Sequence, residues 1–165
     1  MRAGREIVDG HATITARTMR IMTSPFTIDE GTAFGARAAH RLRTEVVIWL
    51  TTVGASGAPS SNPVWFLWDG ADKLSVHNLP GSARVRHLQA DPHVGLHFDG
   101  DGRGGDIVVL SALAELRPDD PKADADPAFV AKYAADIERI RHTPQSFAAQ
   151  YSLPIVLTLT GLRGH

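Results

Sequence analysis

The chain has 165 residues, of which 43% are hydrophobic and 21% charged, and its formal net charge is −1. These values predict one globular domain and exclude an overall basic field that would attract nucleic acid or an anionic membrane. The sequence has no cysteine, which excludes disulfides, thiolate catalysis and iron–sulfur clusters. No apolar run approaches the roughly 20 residues of a membrane helix, and the N-terminus lacks the apolar core of a secretory signal, so we expect a cytoplasmic protein.

Residues 1–33 are predicted to form a weakly ordered N-terminal arm, and residues 34–165 a cofactor-binding domain. The first 21 residues mix Arg, Thr and Gly without a hydrophobic period, which is typical of loosely ordered chain. Met22 opens the segment Met-Thr-Ser-Pro-Phe, which suits the start of a natural protein. Our hypothesis is therefore that residues 1–21 are an upstream extension or a loose arm.

Hydrophobic periodicity and turn residues predict six strands and four helices. In chain order they are helix 32–44, strands 46–53, 59–68 and 73–78, helix 82–90, strands 93–99 and 107–117, helix 128–141, a short helix opening at Thr143-Pro144, and strand 153–162. The first three strands are interpreted as an antiparallel meander. Hairpin connections without a crossover helix after each strand favour a small antiparallel barrel over a parallel sheet.

The most informative segment is a strand, a glycine turn and a helix start between Leu74 and Leu88. A helix N-terminus offers free N–H groups and a partial positive charge, so it suits an anion. Ser82 is predicted to cap the helix and to add a hydroxyl, Arg84 to add a guanidinium fork, and Arg86 to reinforce the field. Taken alone, the segment fits a capped surface helix with solvated arginines better than it fits an anion site.

The Ser82-Ala83-Arg84 helix start, followed by Asp91-Pro92 and a strand, resembles the flavin-binding split barrel of the pyridoxamine 5′-phosphate oxidase-like superfamily. In that superfamily a Ser-x-Lys/Arg helix start holds the flavin phosphate. Gly57-Ala58-Pro59 and Pro63-Val64-Trp65-Phe66 resemble its first hairpin. The resemblance covers residues 34–165 and implies a mainly β (α+β) fold, a six-stranded antiparallel split β-barrel with peripheral helices. Segments that also resemble an actinobacterial F-420-dependent branch are 45–52, 62–70 and 162–165.

The resemblance implies that Ser82, the Ala83 N–H and Arg84 hold a cofactor phosphate, with Arg86 as an additional charge. It implies that the second and third strands wall the cofactor ring, with the candidate residues Asn62, Pro63, Val64, Trp65, Phe66, His77 and Asn78. The second strand departs from the pyridoxamine phosphate oxidases themselves, because no basic residue lies between Thr44 and Asp72 to bind FMN phosphate there. This departure disfavours vitamin B6 oxidation and favours coenzyme F-420, with FMN as the alternative.

The implied activity is hydride transfer from reduced deazaflavin F-420 to a small electron-poor acceptor such as a quinone, an enone or a tetrapyrrole-like compound. The implied assembly is a homodimer with the cofactor at the subunit interface. Because the redox chemistry belongs to the cofactor, no indispensable acid–base residue is expected. Two alternatives stay open: an FMN-dependent oxidase or reductase, and a non-catalytic flavin or haem-binding protein with His77 as a minor candidate ligand. The histidines lack a supporting Asp/Glu pattern, so no metal site is expected.

Overall fold

The computed structural model describes residues 26–165, so the hypothesis about residues 1–21 lies outside the described residues. The helices are α1 (Ala33–Thr44), α2 (Ala83–Ala90), α3 (Pro127–Arg139) and α4 (Pro144–Gln150), with a 3-10 turn at Ala123–Ala125. The strands are β1 (Val47–Val53), β2 (Pro59–Trp65), β3 (Leu67–Trp68), β4 (Lys73–Asn78), β5 (His93–His97), β6 (Val108–Leu116) and β7 (Leu153–Gly164). Within residues 26–165, no helix is both long enough and apolar enough to cross a bilayer.

The sheet has seven strands rather than the predicted six, because the predicted strand 59–68 breaks at Phe66. Its first part, β2, pairs antiparallel with β1, and its second part, β3, pairs antiparallel with β4. Both antiparallel pairings of the predicted meander are present, but each is made by a different part of the broken strand, so β2 and β4 do not pair with each other. The sheet order β2-β1-β5-β6-β7-β4-β3 leaves β2 and β3 at its two edges, although one residue joins them. The sheet consequently curls into an antiparallel split barrel, as expected.

Two side chains of α3 satisfy the backbone where the strand breaks. The Tyr133 hydroxyl accepts the Phe66 N–H at 2.8 Å and lies 2.7 Å from the Phe66 carbonyl oxygen. The same hydroxyl lies 2.9 Å from the carbonyl oxygen of Val46, and Lys132 Nζ donates to the Phe66 carbonyl at 3.0 Å. Backbone groups that leave the sheet ladder need such partners when they are buried. Tyr133 and Lys132 therefore stabilise the barrel at the point where β2 and β3 separate.

Two hydrophobic clusters stabilise the domain. The larger one fills the barrel with alternate residues of the strands, and Phe66 is 0% exposed within it. The smaller one lies under α3 and α4 and contains Phe129, Tyr133 and Phe147, with Trp65 and Tyr151 packed against it. Trp65 and Phe66 therefore face different clusters, because successive side chains of a strand point to opposite faces.

Three of the four helices begin with a side-chain cap. Thr32 accepts the N–H of Gly35 at α1, Asp126 caps α3, and Thr143 forms a capping box at α4. The predicted cap at α2 is wrong, because the Ser82 side chain makes no hydrogen bond to the helix backbone. Its hydroxyl is engaged elsewhere, and that arrangement belongs to the site described next.

Candidate functional site

A groove runs between the end of β2, the end of β4, the start of α2 and the α3–α4 pair. It consists of two adjoining cavities of about 320 and 360 Å³, which share Pro63, Asn78, Arg84 and Tyr151. The predicted site residues that line it are Asn62, Pro63, Val64, Trp65, His77, Asn78, Ser82, Ala83 and Arg84. The structure thus brings together nine of the eleven sequence-predicted residues, from three separate segments of the chain.

Two predicted site residues do not belong to the groove. Phe66 is fully buried in the barrel core, since the break that follows Trp65 turns it inward. Arg86 is exposed on α2 and lines neither cavity, because it lies two residues beyond Arg84 on a helix and so points in another direction. We therefore remove both from the set of candidate contacts.

One end of the groove, which we call the anion end, is formed by the last residue of β4 and the start of α2. Asn78 is only 4% exposed, and its amide oxygen accepts a short hydrogen bond from the Arg84 guanidinium. Its amide nitrogen donates to the Leu79 carbonyl at 2.9 Å and to Ser82 Oγ at 2.6 Å. Ser82 and Arg84 are thus held beside each other through one buried amide.

Arg84 carries a positive charge without a carboxylate partner in residues 26–165. Burial lowers the pKa of this guanidinium, the direction expected for a cation withdrawn from water. An arginine nevertheless remains protonated in proteins. A half-buried guanidinium that faces a cavity and lacks a counter-charge is a site for an anionic ligand.

The other end of the groove, which we call the aromatic end, is walled by stacked rings. Trp65 stacks on Tyr133 with 4.8 Å between ring centroids and on Phe147 with 5.2 Å. Phe147 in turn stacks on Tyr151 at 4.6 Å. Such a wall offers flat apolar surface to a planar ring.

Sequence reasoning missed the residues that α3 and α4 contribute to the aromatic end. Arg139 and Ile140 at the end of α3, and Phe147 and Tyr151 around α4, line the same cavity as Trp65. The available signal was the Phe147–Tyr151 spacing of four residues, which places two aromatic rings on one helix face. That pattern is equally typical of a core helix, so it indicates a ligand site only once the fold is known.

His77 lies in the wall of the aromatic end. It packs edge-on against Phe129 with 4.8 Å between ring centroids, and its Nδ1 is buried without a hydrogen-bond partner. Burial lowers the pKa of this imidazole, and the negative charges of Asp126 and Asp124 oppose that shift only in part. The ring is therefore neutral at pH 7.

Among residues 26–165, no Asp or Glu lines either cavity. The charged side chains that line the groove are Arg84 and Arg139, the latter paired with Asp136 at 2.9 Å. The groove consequently favours a ligand with an anionic group at one end and a flat apolar part at the other.

Comparison with known proteins gives a family and a fold. The family model described as "Pyridoxamine 5'-phosphate oxidase" matches residues 34–161. A solved structure named as an F420 reductase is 22% identical with a TM-score of 0.56, covering 75% of this chain and 94% of that one. A protein of Listeria innocua, described as a putative pyridoxamine 5'-phosphate oxidase, is 18% identical with a TM-score of 0.56, covering 78% and 94%.

A third structure, the haem storage protein HutZ of Vibrio cholerae, is 17% identical with a TM-score of 0.53 and covers 76% of this chain and 90% of that one. No curated protein matches the sequence. At these identities the structural neighbours show the split-barrel fold, which proteins of different named activities share.

Proposed function

Since the chain belongs to the pyridoxamine 5′-phosphate oxidase family, we propose that it is an oxidoreductase that holds coenzyme F-420 in the groove and passes hydride to a small electron-poor acceptor. The observation that carries the proposal is the anion end, where the half-buried and carboxylate-free guanidinium of Arg84 lies beside the Ser82 hydroxyl. The aromatic end adjoins it directly, since the two cavities share Pro63, Asn78, Arg84 and Tyr151.

Each part of the groove has a role in this proposal. Arg84, the Ser82 hydroxyl and the Ala83 N–H at the uncapped start of α2 bind the phosphate. Pro63, Trp65 and the rings behind Trp65 orient the deazaflavin and keep water away from it. The cofactor supplies the hydride, while the protein supplies its position and an aromatic wall.

The charge of the anion end supports F-420 over FMN. Within residues 26–165, Arg84 is the one cation that lines this cavity, and β2 contributes only Ser60, Asn62 and Pro63 to it. One guanidinium matches the single negative charge of the phosphodiester in F-420. The terminal phosphate of FMN carries nearly two negative charges at pH 7, so one charge would stay unpaired in a partly desolvated site.

One named structural neighbour agrees with the choice of F-420. A structural neighbour bears the name F420 reductase, and this chain has the same fold.

The family resemblance also supports a homodimer in which a second subunit covers the groove. Exposed apolar side chains of the described residues, among them Val47 at 39% and Leu113 at 40%, offer surface for such a contact.

A second candidate is a non-catalytic haem-binding protein, which His77 favours. Its Nδ1 is buried and makes no hydrogen bond, and a buried neutral imidazole is a suitable haem ligand. A structural neighbour is named a haem storage protein. This candidate does not account for the uncompensated charge of Arg84 as directly as a cofactor phosphate does.

Titration of the purified protein with F-420, FMN and haem in parallel tests the proposal. We expect micromolar or tighter binding of F-420, weaker binding of FMN, and turnover of reduced F-420 with quinone or enone acceptors. Tighter binding of FMN than of F-420 would contradict the proposed cofactor and indicate an FMN-dependent enzyme of the family. A Soret band that depends on His77, without F-420 binding, would contradict the proposal and support the haem candidate.

A further inference from the structure

We infer that Asn78 is the positioning residue of the anion end, and that the donors it directs there favour an acceptor-rich anionic group such as a phosphodiester. Asn78 acts through Ser82 and Arg84 rather than by contact with the ligand ring. The inference rests on the proposed function for the identity of the ligand, but its geometric part concerns the protein alone.

The orientation of the Asn78 amide follows from its partners. A guanidinium has only N–H donors, so the group that faces Arg84 must be the amide oxygen. The amide nitrogen must then face the other way, where its two hydrogens reach the Leu79 carbonyl at 2.9 Å and Ser82 Oγ at 2.6 Å. Both donor hydrogens of the amide nitrogen are therefore paired, and the side chain is buried, with 4% of its surface exposed.

This orientation determines what Ser82 offers to the groove. Because Ser82 Oγ accepts a hydrogen bond from Asn78, its own hydrogen is free to point elsewhere. Ser82 makes no cap bond to α2 and has no other side-chain hydrogen bond in the described chain. The hydroxyl hydrogen can therefore be donated into the adjoining cavity, which Ser82 and Arg84 both line.

The anion end consequently presents a group of donors: the Ser82 O–H, the remaining guanidinium N–H groups of Arg84, and the backbone N–H groups at the start of α2. Thr52, Ser60 and Asn62, whose oxygens can accept, line the same cavity. A negatively charged group with acceptor oxygens pairs with these donors and with the charge of Arg84, which has no carboxylate partner in residues 26–165. A singly charged phosphodiester has two free acceptor oxygens and no hydrogen. The polarity that Asn78 imposes therefore matches that group.

Asn78 also orders Arg84 before any ligand arrives. An unrestrained arginine loses much rotamer freedom when it binds, and a side chain already held in place avoids that cost. If Asn78 acts in this way, its effect on binding must pass through Arg84 and Ser82. Removing Arg84 should then remove most of the effect of Asn78.

A double-mutant cycle in the affinity for F-420, measured by equilibrium dialysis, tests this coupling. We expect Arg84→Ala to weaken binding about 100-fold and Asn78→Ala about tenfold, with the double variant no more than about threefold weaker than Arg84→Ala alone. Arg86→Ala, on the exposed side of the same helix, is the matched control and should bind as the parent does. Additive losses in the double variant would overturn the role of Asn78 while leaving the Arg84–phosphate contact intact.

The variant Asn78→Asp tests the polarity. It has nearly the same shape and can still accept from Arg84, but its carboxylate neutralises the guanidinium and cannot donate to Ser82. We expect a folded protein whose F-420 affinity falls by as much as in Arg84→Ala. Parent-like affinity of Asn78→Asp would overturn the inference.

A ligand-free measurement separates failure of this inference from failure of the proposed function. The Nε–Hε group of Arg84 should show restricted motion by nitrogen-15 relaxation in the parent protein and increased motion in Asn78→Ala. If Arg84 stays equally ordered in Asn78→Ala, the positioning role is wrong whatever the cofactor is. If the ordering is confirmed but Arg84→Ala leaves F-420 affinity unchanged, the proposed cofactor contact is wrong instead.

Discussion

The Tyr133 hydroxyl contacts both backbone polar groups of Phe66, accepting its N–H at 2.8 Å and lying 2.7 Å from its carbonyl oxygen. Phe66 is the residue at which one predicted strand becomes two edge strands of the barrel. The ring of Tyr133 also stacks on Trp65, the preceding residue. One side chain of α3 thus supports the closure of the barrel and the aromatic wall of the groove.

Tyr133→Phe should destabilise the domain by about 1–3 kcal/mol, because it leaves the buried Phe66 N–H without a partner. The ring itself remains, so the stack on Trp65 is retained. Urea denaturation measures the loss. Tyr151→Phe is the matched control, since no hydrogen bond of the Tyr151 hydroxyl occurs in residues 26–165, and it should change the unfolding free energy by less than about 0.5 kcal/mol. Equal effects of the two variants would contradict the assigned role.

Lys132 should make the stability of the domain increase between pH 8 and pH 10. Burial lowers the pKa of Lys132 to about 8 in the folded state, whereas an unfolded lysine has a pKa of about 10.4. Between these values the unfolded chain binds more protons, so its free energy relative to the folded state rises with pH. The lysine is half exposed, so the gain should be only about 1 kcal/mol. Urea denaturation at pH 7.5 and 9.5 measures the gain, which Lys132→Met should lack. If the unfolding free energy of Lys132→Met changes with pH as that of the parent does, the assignment to Lys132 is refuted.

Trp65→Leu should weaken F-420 binding about fivefold, which corresponds to about 1 kcal/mol of lost aromatic stacking. Trp65 lines the groove, whereas Trp68 lies under the Arg43 guanidinium and lines a different cavity. Trp68→Leu is therefore the matched control and should leave the affinity unchanged. Fluorescence titration compares the two variants. A larger loss in Trp68→Leu would place the ring of the ligand elsewhere.

Gly35→Ala should destabilise the domain, although alanine is normally the better helix residue. A Cβ at position 35 in α1 would lie 1.9 Å from the carbonyl oxygen of Asp29, so the chain before α1 would have to move. We expect a loss of about 1–3 kcal/mol in thermal unfolding. Gly81→Ala is the control, because its Cβ would meet nothing within 4 Å, and its unfolding free energy should change by less than about 1 kcal/mol.

Local patterns predicted most of the elements. Strand β4 has the predicted bounds, and the predicted helix opening at Thr143-Pro144 is confirmed by the capping box there. The break at Phe66 could not be predicted, because an apolar residue between Trp65 and Leu67 reads as continuous strand. Tyr133, which contacts the backbone groups of Phe66 at the break, lies 67 residues further along the chain, and no local pattern indicates such a distant partner.

The candidate site was predictable where one segment builds it. The strand-turn-helix segment that ends β4 and begins α2 indicated Ser82 and Arg84 directly. The direction in which each side chain points was harder to predict. A hydroxyl at a helix start normally caps the helix, whereas the Ser82 hydroxyl accepts a hydrogen bond from Asn78. Arg86 lines neither cavity, and sequence proximity to Arg84 does not show which side of a short helix faces the groove.

Residues 117–152 are an excursion from a hairpin, since the strands on either side of them, β6 and β7, pair directly with each other. Excursions of this kind commonly vary between relatives without disturbing the sheet that carries them. Here the excursion supplies the Tyr133 contact to Phe66 and the Phe147 and Tyr151 rings of the groove. Changes that adapt this segment to a new ligand would therefore also alter the closure of the barrel, so evolution or engineering of specificity in this chain is coupled to its stability.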